Sequence, residues 1–396
     1  MNYNDAGIDR NAKRQASEIF YEASKKTWSN RKDRFGEVAI LFDNFSGLRS
    51  IKIGKLSGDL NIGSGADGTG TKLEVAQMMN QYDTVAYDLF AMICDDAIVR
   101  GAEPFSVLTN LNVRTFSENG EDYMCYIQQL ADGMVNAAQE SGVAVINGEI
   151  ADMPDVITGY SKLPRVFHRI NQAIKYAAFG KPIVNPGFHF DWNGVVNWVA
   201  REDRLFSGLE IKAGDKLVAL KEHGFRSNGL TLARKILAKE HGKEWHKENI
   251  YDKTLGEQVL LPSKIYCKAV SEMLGGYDKD PKAEIHGIAH ITGEGIPGKL
   301  GRILKPSELG AYIDSPFYPC KAMLYCQEKG HVNDIEAYNT WNMGQGMIII
   351  TPSPNEIIKV AENHSIRSKI IGEITTGEYI VIKSQGFFSE CQELYF

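Results

Sequence analysis

The chain has 396 residues, 43% of them apolar and 24% charged, with a formal net charge of −6. That composition belongs to an ordinary globular protein, long enough for about two or three domains with buried cores. No basic stripe stands out, which argues against nucleic acid as the main partner and leaves any phosphate ligand to local groups.

The six cysteines form no C-x-x-C pair and sit mostly among apolar neighbours. They read as buried reduced thiols rather than a disulfide framework or a zinc site. The first residues lack the apolar core of a signal peptide, and no run approaches the length of a membrane span. The reading is a cytoplasmic protein with no membrane partner.

A polar opening leads to a helix-like run from Asn11 to Lys26 and a short apolar stretch from Val38 to Phe42. The rest of the chain is organised around the segment from Gly63 to Glu103. Its glycine-rich loop carries Asp67 and Lys72, and it leads into two helical runs, from Thr71 to Gln81 and from about Thr84 to Arg100. Asp83 or Thr84 caps the second run, and Gly101 and Pro104 stop it. Glycines let backbone approach a ligand, exposed N–H groups face anions, and a lysine adds charge. Asp88, Asp95 and Asp96 return to one helix face at spacings of seven and eight, and clustered carboxylates suit Mg²⁺. The reading is a nucleoside triphosphate–magnesium site.

Other readings stand beside it. The loop could be a plain turn, and Asp95 and Asp96 a solvated helix end. Gly63, Gly65 and Gly68 fit a dinucleotide fingerprint, with Asp83 or Asp88 near the ribose position. The preceding KLSGDLNI, however, does not read as a buried parallel strand. A Walker A loop fails, because the order is Gly-Thr-Lys.

Next come a strand from Phe105 to Val113 and a helix from Asn119 to Ser141. Met124, Ile127, Ala131, Met134 and Ala138 form the core stripe of that helix, and Gly142 ends it. A short strand, Val143 to Ile146, delivers NGEIADMP (147–154), where Glu149 and Asp152 sit in a loop past a strand end, a place that favours function. Residues 155–189, with basic side chains at 162, 165, 168 and 169, read as a surface insertion. Strand character resumes from Asn193 to Ala200, and Ser207 to Gly214 looks like a seam.

The second half opens with a strand, Lys216 to Leu220, then HGFRSNG (223–229) and a helix from Leu230 to His241. Ser227 or Asn228 caps that helix, whose positive end can hold an anion, with Arg226 adding charge. A plain cap is the alternative. A helix from Lys264 to Leu274 precedes a strand ending at His290, a candidate acid/base or a structural histidine. A helix from Lys321 to Lys329, the run 340–351, a helix from Asn355 to Asn363 and strands 369–374 and 379–383 complete the chain. Strands and helices alternate, so both halves are α/β or α+β.

Taken together and in order, these motifs resemble the aminoimidazole ribonucleotide (AIR) synthetase family, the phosphoribosylformylglycinamidine cyclo-ligases of purine biosynthesis. The matching stretches are YNDAGID (3–9), GADGTGTK (65–72), DLFAMICDDAIVRGAEP (88–104), NGEIADMP (147–154), RSNG (226–229), GIAHITGEG (287–295) and NMGQGM (342–347). The resemblance implies two domains, each a mixed β-sheet flanked by helices. Residues 1–206 would bind ATP and dimerise, and 207–396 would form the C-terminal AIR synthetase-like domain. It implies a homodimer whose N-terminal sheets pair.

The reaction implied is ATP- and Mg²⁺-dependent ring closure of formylglycinamidine ribonucleotide to AIR, ADP and phosphate. Gly65, Asp67, Gly68, Gly70, Thr71 and Lys72 would hold the nucleotide, and Asp67, Asp88 and Asp96 the metal. Glu149, Arg226, Ser227, Asn228 and Gly229 would hold the ribonucleotide. His290 and Lys72 would be catalytic. Lys72→Ala and Asp88→Asn are expected to impair ATP use with little loss of folding.

The chain departs from the family pattern on the acceptor side. Phe225-Arg226 replaces Pro-His, Asn147, Ile150 and Asp152 alter Gly-Gly-Glu-Thr-Ala-Glu, Glu294 interrupts the Gly-Gly-Gly turn, and residues 298–302 lack Glu-Asn-x-Pro-Arg. The alternatives are another ATP-dependent phosphotransferase of the superfamily or a nucleotide-binding paralogue without turnover. A selenophosphate synthetase is disfavoured, because no cysteine precedes Cys94.

Overall fold

The structure is a computed structural model that describes residues 10–39, 50–54, 59–118, 120–154, 156–157 and 187–396. The YNDAGID opening and nearly all of 155–189 lie outside the described residues, and so does most of the apolar stretch from Val38 to Phe42.

Period-2 patterning builds the first sheet. Phe190, Trp192 and Val196 are buried while Asp191, Asn193 and Val195 alternate outward, as one-sided burial requires. Its strands are β1 (Leu60–Gly68), β2 (Glu103–Val113), β3 (Ala144–Asp152) and β4 (Phe190–Arg201). They lie in the order β1-β4-β2-β3. Only β2 and β3 run parallel, and α4 (Met124–Ser141) supplies the crossover that parallel neighbours need. Helix α3 (Val85–Ile98) packs on β1 and β4 and against α4, and α1 (Arg10–Thr27) packs on α4 and β3. Among the described residues the opposite face of the sheet is open, with Ile62 and Val195 exposed.

Two expected loops are strands. The glycine-rich GSGADG forms most of β1, paired antiparallel with β4 from Leu60↔Arg201 to Gly68↔Asn193. A Cβ at Gly63 would lie 2.1 Å from the Trp198 ring, so this glycine makes room for an aromatic side chain rather than a turn. Likewise Asn147 to Asp152 continue β3, in register with Leu108 to Val113 of β2. The helix expected from Asn119 begins at Met124, because Glu121–Asp122 pairs with Ser117–Glu118.

The second sheet has seven strands: β5 (Lys216–Lys221), β6 (Gly287–His290), β7 (Gly310–Ile313), β8 (Gln345–Thr351), β9 (Ser368–Thr375), β10 (Ile380–Lys383) and β11 (Glu393–Tyr395). The order is β6-β8-β5-β9-β7-β10-β11. All pairs are antiparallel except β7 with β10. Every residue of β8 is buried, which is why its sequence is a continuous apolar run. Helices α5 (Leu230–His241), α6 (Cys267–Leu274), α7 (Gly295–Leu304), α8 (Lys321–Gly330) and α9 (Pro354–Asn363) flank it. Helix α5 has the limits its sequence predicts, whereas α6 starts three residues after Lys264. Two mixed sheets flanked by helices are the fold expected. One apolar core runs through both halves, with α3 packed on α6.

Candidate functional site

The seam between the sheets gathers polar side chains from distant parts of the chain. Lys72 opens α2 (Lys72–Met79) and reaches Asp88 Oδ1 of α3 at 2.7 Å and the Leu261 carbonyl at 2.5 Å. Ser263 donates to the same carboxylate oxygen from Oγ, at 2.5 Å, and from its backbone N–H. The Lys72 and Asp88 side chains are 2% and 1% exposed. Asp88 Oδ2 is buried with no hydrogen-bond partner among the described residues. Burial pushes the Asp88 carboxyl up, against the pull of Lys72.

Two turns along α3, Asp95 and Asp96 part company. Asp95 is fully buried. Its Oδ1 accepts the N–H groups of Tyr266 and Cys267, and its Oδ2 accepts from Arg226 Nη2 at 3.0 Å. Arg226 Nη1 donates to Glu222 Oε2 at 2.8 Å and to the Lys264 carbonyl. His290 has Nε2 2.6 Å from Arg226 Nη2 and Nδ1 2.5 Å from Asp96 Oδ1. The Asp96 side chain is 53% exposed, while that of His290 is 2% exposed. Burial pushes the Asp96 carboxyl up, but the His290 hydrogen bond and nearby positive charge outweigh it and hold it below the usual carboxylate value.

The glycine-bearing turns meet beside this network. Gly70, at φ 62°, closes β1 into α2, and a Cβ placed there would lie 3.6 Å from the Ser227 carbonyl oxygen. Thr71 Oγ1 is 3.4 Å from Thr231 Oγ1, and Arg234 donates to the Thr71 carbonyl. Gly229, at φ 70°, caps α5, and no side chain caps it. That corrects the expectation that Ser227 or Asn228 does so. A Cβ at Gly229 would lie 2.3 Å from the Trp341 ring, so the cap position is fixed by packing. Asn228 instead turns to Met92 of α3, and Ser227 Oγ is buried without a partner among the described residues.

The expected residues thus fall into three groups. Gly70, Thr71, Lys72, Asp88, Asp96, Ser227, Asn228, Gly229 and His290 converge at the seam. Gly65, Asp67 and Gly68 lie on edge strand β1, and Asp67 and Gly68 line a shallow cavity of about 510 Å³ with Asn110 and Asn193. Glu149 stands apart on β3, ion-paired with Lys13 of α1. It remains on the cross-sheet row Gly68–Asn193–Asn110–Glu149, roughly 14 Å from the first strand at the usual strand spacing.

Two assignments need correction. Arg226 is 1% exposed, its four Nη contacts all intramolecular, so it faces no ligand. Asp67, Asp88 and Asp96 do not gather round one cation, and among the described residues no group of three His, Cys, Asp or Glu side chains could hold a metal. Asp88 is enclosed, its Oδ1 shared by Lys72 and Ser263 while its Oδ2 has no partner among the described residues. Sequence reading left Asp95 open as a solvated helix end and passed over Glu222, Ser263 and Tyr266. An acidic residue inside an apolar helical run is a signal of a buried partner, but the partner lies 131 positions away.

Comparison with known proteins agrees with this architecture. The family model described as "AIR synthase related protein, N-terminal domain" matches residues 50–165, and the corresponding C-terminal domain matches 212–384. Phosphoribosylformylglycinamidine cyclo-ligase of Methanocaldococcus jannaschii is 32% identical, over 80% of this chain and 79% of its own. The protein of that name from Carboxydothermus hydrogenoformans is 34% identical, over 81% and 82%. Among solved structures, thiamine-monophosphate kinase from Stenotrophomonas maltophilia superposes with a TM-score of 0.58 at 12% identity, covering 94% of this chain and 97% of that one. Hydrogenase maturation protein HypE in complex with ATP gives 0.53 at 13%, covering 90% and 87%. These two share the fold. No helix among the described residues is long and apolar enough to cross a membrane. With both domains matched and relatives aligned over most of its length, this chain belongs to the AIR synthetase family.

Proposed function

We propose that the protein closes the imidazole ring of AIR from formylglycinamidine ribonucleotide, consuming ATP and releasing ADP and phosphate. In that reaction the formyl oxygen takes the γ-phosphoryl group and an internal amidine nitrogen displaces it as phosphate. The observation that carries the reading is the convergence at one seam of Lys72, the Gly70 turn, Ser227–Asn228–Gly229 and the His290–Asp96 pair, in a chain of this family. Phosphoryl transfer needs positioning and charge neutralisation, and ring closure needs nucleophile and electrophile held together. A seam between two rigid sheets supplies both.

Each residue group has a part in this reading. The backbone from Gly65 to Thr71 lies along the nucleotide. Lys72, its buried Nζ held by Asp88 and the Leu261 carbonyl, lends positive charge from beneath the Gly70 turn without touching the phosphates. The ribonucleotide phosphate sits at the Ser227–Gly229 start of α5, where free N–H groups and the helix dipole favour an anion. Magnesium would arrive with the triphosphate, and Asp96, whose side chain is 53% exposed, is the seam carboxylate placed to meet it. When bound, it would neutralise phosphate charge.

The open face of the first sheet supports a homodimer built by pairing those faces. The reading also entails a cytoplasmic enzyme. The changed acceptor-side motifs, with a kinase among the proteins that share the fold, favour one second reading, an ATP-dependent phosphotransferase with another small acceptor. Complementation decides between them. Expression in a purine-requiring strain lacking the cyclo-ligase should restore growth without purine, and continued purine dependence with the protein stably expressed would reject ring closure.

A further inference from the structure

We infer that Arg226 is a positioning residue that locks His290 as the Nδ1–H tautomer, so that the imidazole serves Asp96 and offers no lone pair to a ligand. A guanidinium has five N–H donors and no acceptor. Its Nη2 lies 2.6 Å from His290 Nε2, so Nε2 must accept, and the ring proton must sit on Nδ1. There it donates to Asp96 Oδ1 at 2.5 Å, a carboxylate that can only accept when ionised.

The lock is rigid because both Nη atoms of Arg226 are held by fixed partners. Glu222 and the Lys264 carbonyl take Nη1, Asp95 takes Nη2, and the Tyr266 ring lies 5.3 Å from the guanidinium carbon. The two acids are themselves fixed, Glu222 Oε1 by the N–H groups of His223 and Gly224, and Asp95 Oδ1 by those of Tyr266 and Cys267. With Asp95 on α3 and Glu222 just past β5, the clamp also ties the two sheets together.

The functional consequence concerns which atom meets the ligand. His290 is enclosed, and its one N–H is spent on Asp96, so the exposed end of the relay is the Asp96 carboxylate. An imidazole locked neutral leaves that carboxylate its full charge for a metal-borne or N–H-bearing ligand. The family pattern places histidine where Arg226 stands, and histidine at that site could either donate or accept. A donor-only cation such as arginine enforces one tautomer. What Asp96 meets rests on the function proposed above, but the tautomer does not.

The test is a long-range ¹H–¹⁵N correlation spectrum of full-length protein labelled with ¹⁵N-histidine at neutral pH, with His290 assigned by its loss in His290→Gln. Wild type should show a bare Nε2 and a protonated Nδ1. A protonated Nε2, alone or with Nδ1, overturns the inference. Arg226→His should give mixed tautomers and lower kcat by about 10–100-fold, the range for outer partners of a functional group, with KM for ATP little changed. Arg226→Lys, which keeps a donor, should retain the wild-type tautomer. If either variant fails to fold, the wild-type spectrum alone decides. The spectrum needs no substrate, so absent turnover with formylglycinamidine ribonucleotide would reject the reaction and leave the tautomer result standing.

Discussion

Lys72 and Asp88 meet where no water can reach either charge. Removing one partner of such a pair leaves the other buried and uncompensated, which costs about 3–5 kcal/mol, whereas replacing both with apolar groups can be nearly neutral. The structure therefore revises the expectation that Lys72→Ala spares folding. Urea denaturation should show Lys72→Ala less stable by about 3–5 kcal/mol, and Lys72→Met/Asp88→Leu should recover most of that loss. A single variant with the wild-type urea midpoint would contradict the buried pairing. The sequence marks both residues as important, through their glycine-rich and apolar surroundings. It could not reveal that they bind each other, because Leu261 and Ser263, which complete the site, come from the other half of the chain.

Secondary-structure elements were legible wherever local chemistry decides them. Leu230 to His241 has helical spacing, a glycine before it and another after it, and the expected and observed limits coincide. β1 and the end of β3 were misread as loops, because their glycines answer to long-range packing, such as Trp198 over Gly63. Helix α4 offers a similar case. Gly133 faces the Asp83 carbonyl, and an added Cβ would lie 2.2 Å from that oxygen. Gly133→Ala should cost about 1–3 kcal/mol through overpacking, despite the better helix propensity of alanine. A thermal midpoint at or above wild type would contradict this packing.

His286, ahead of β6, gives the second sheet a pH dependence. Its Nδ1 is 2.7 Å from Asp215 and its Nε2 2.9 Å from Glu284. Burial pushes the imidazole down, but the two carboxylates outweigh it and raise it above its ordinary value. A raised folded-state value means the contribution is complete below about pH 6.5 and is lost as pH rises through the folded-state value. As pH rises above about 6.5, wild type should lose stability relative to His286→Gln. Parallel melting curves would contradict it. The exposed Glu284 contributes less than the buried Asp215.

For the whole molecule, the seam between the sheets unites segments that the sequence presents as separate motifs. Family resemblance indicates which motifs belong together. The structure adds that Asp95, Arg226 and Glu222 fasten the halves while Asp96 faces outward. The open face of the first sheet is the remaining large feature, and the proposal of a dimer through it comes only from resemblance. Substituting exposed apolar positions there, as in Ile62→Asp/Val195→Asp, should convert a dimer to monomer in light scattering. A wild-type protein that is already monomeric at micromolar concentration would contradict the paired-sheet assembly.

The central claim is that this seam carries an ATP-driven ring closure. The direct measurement is ADP release by purified protein with ATP and Mg²⁺, with and without formylglycinamidine ribonucleotide, alongside detection of AIR. The account predicts ADP release that depends on the ribonucleotide and matches AIR formed one for one. Folded, ATP-binding protein that releases no ribonucleotide-dependent ADP would contradict it.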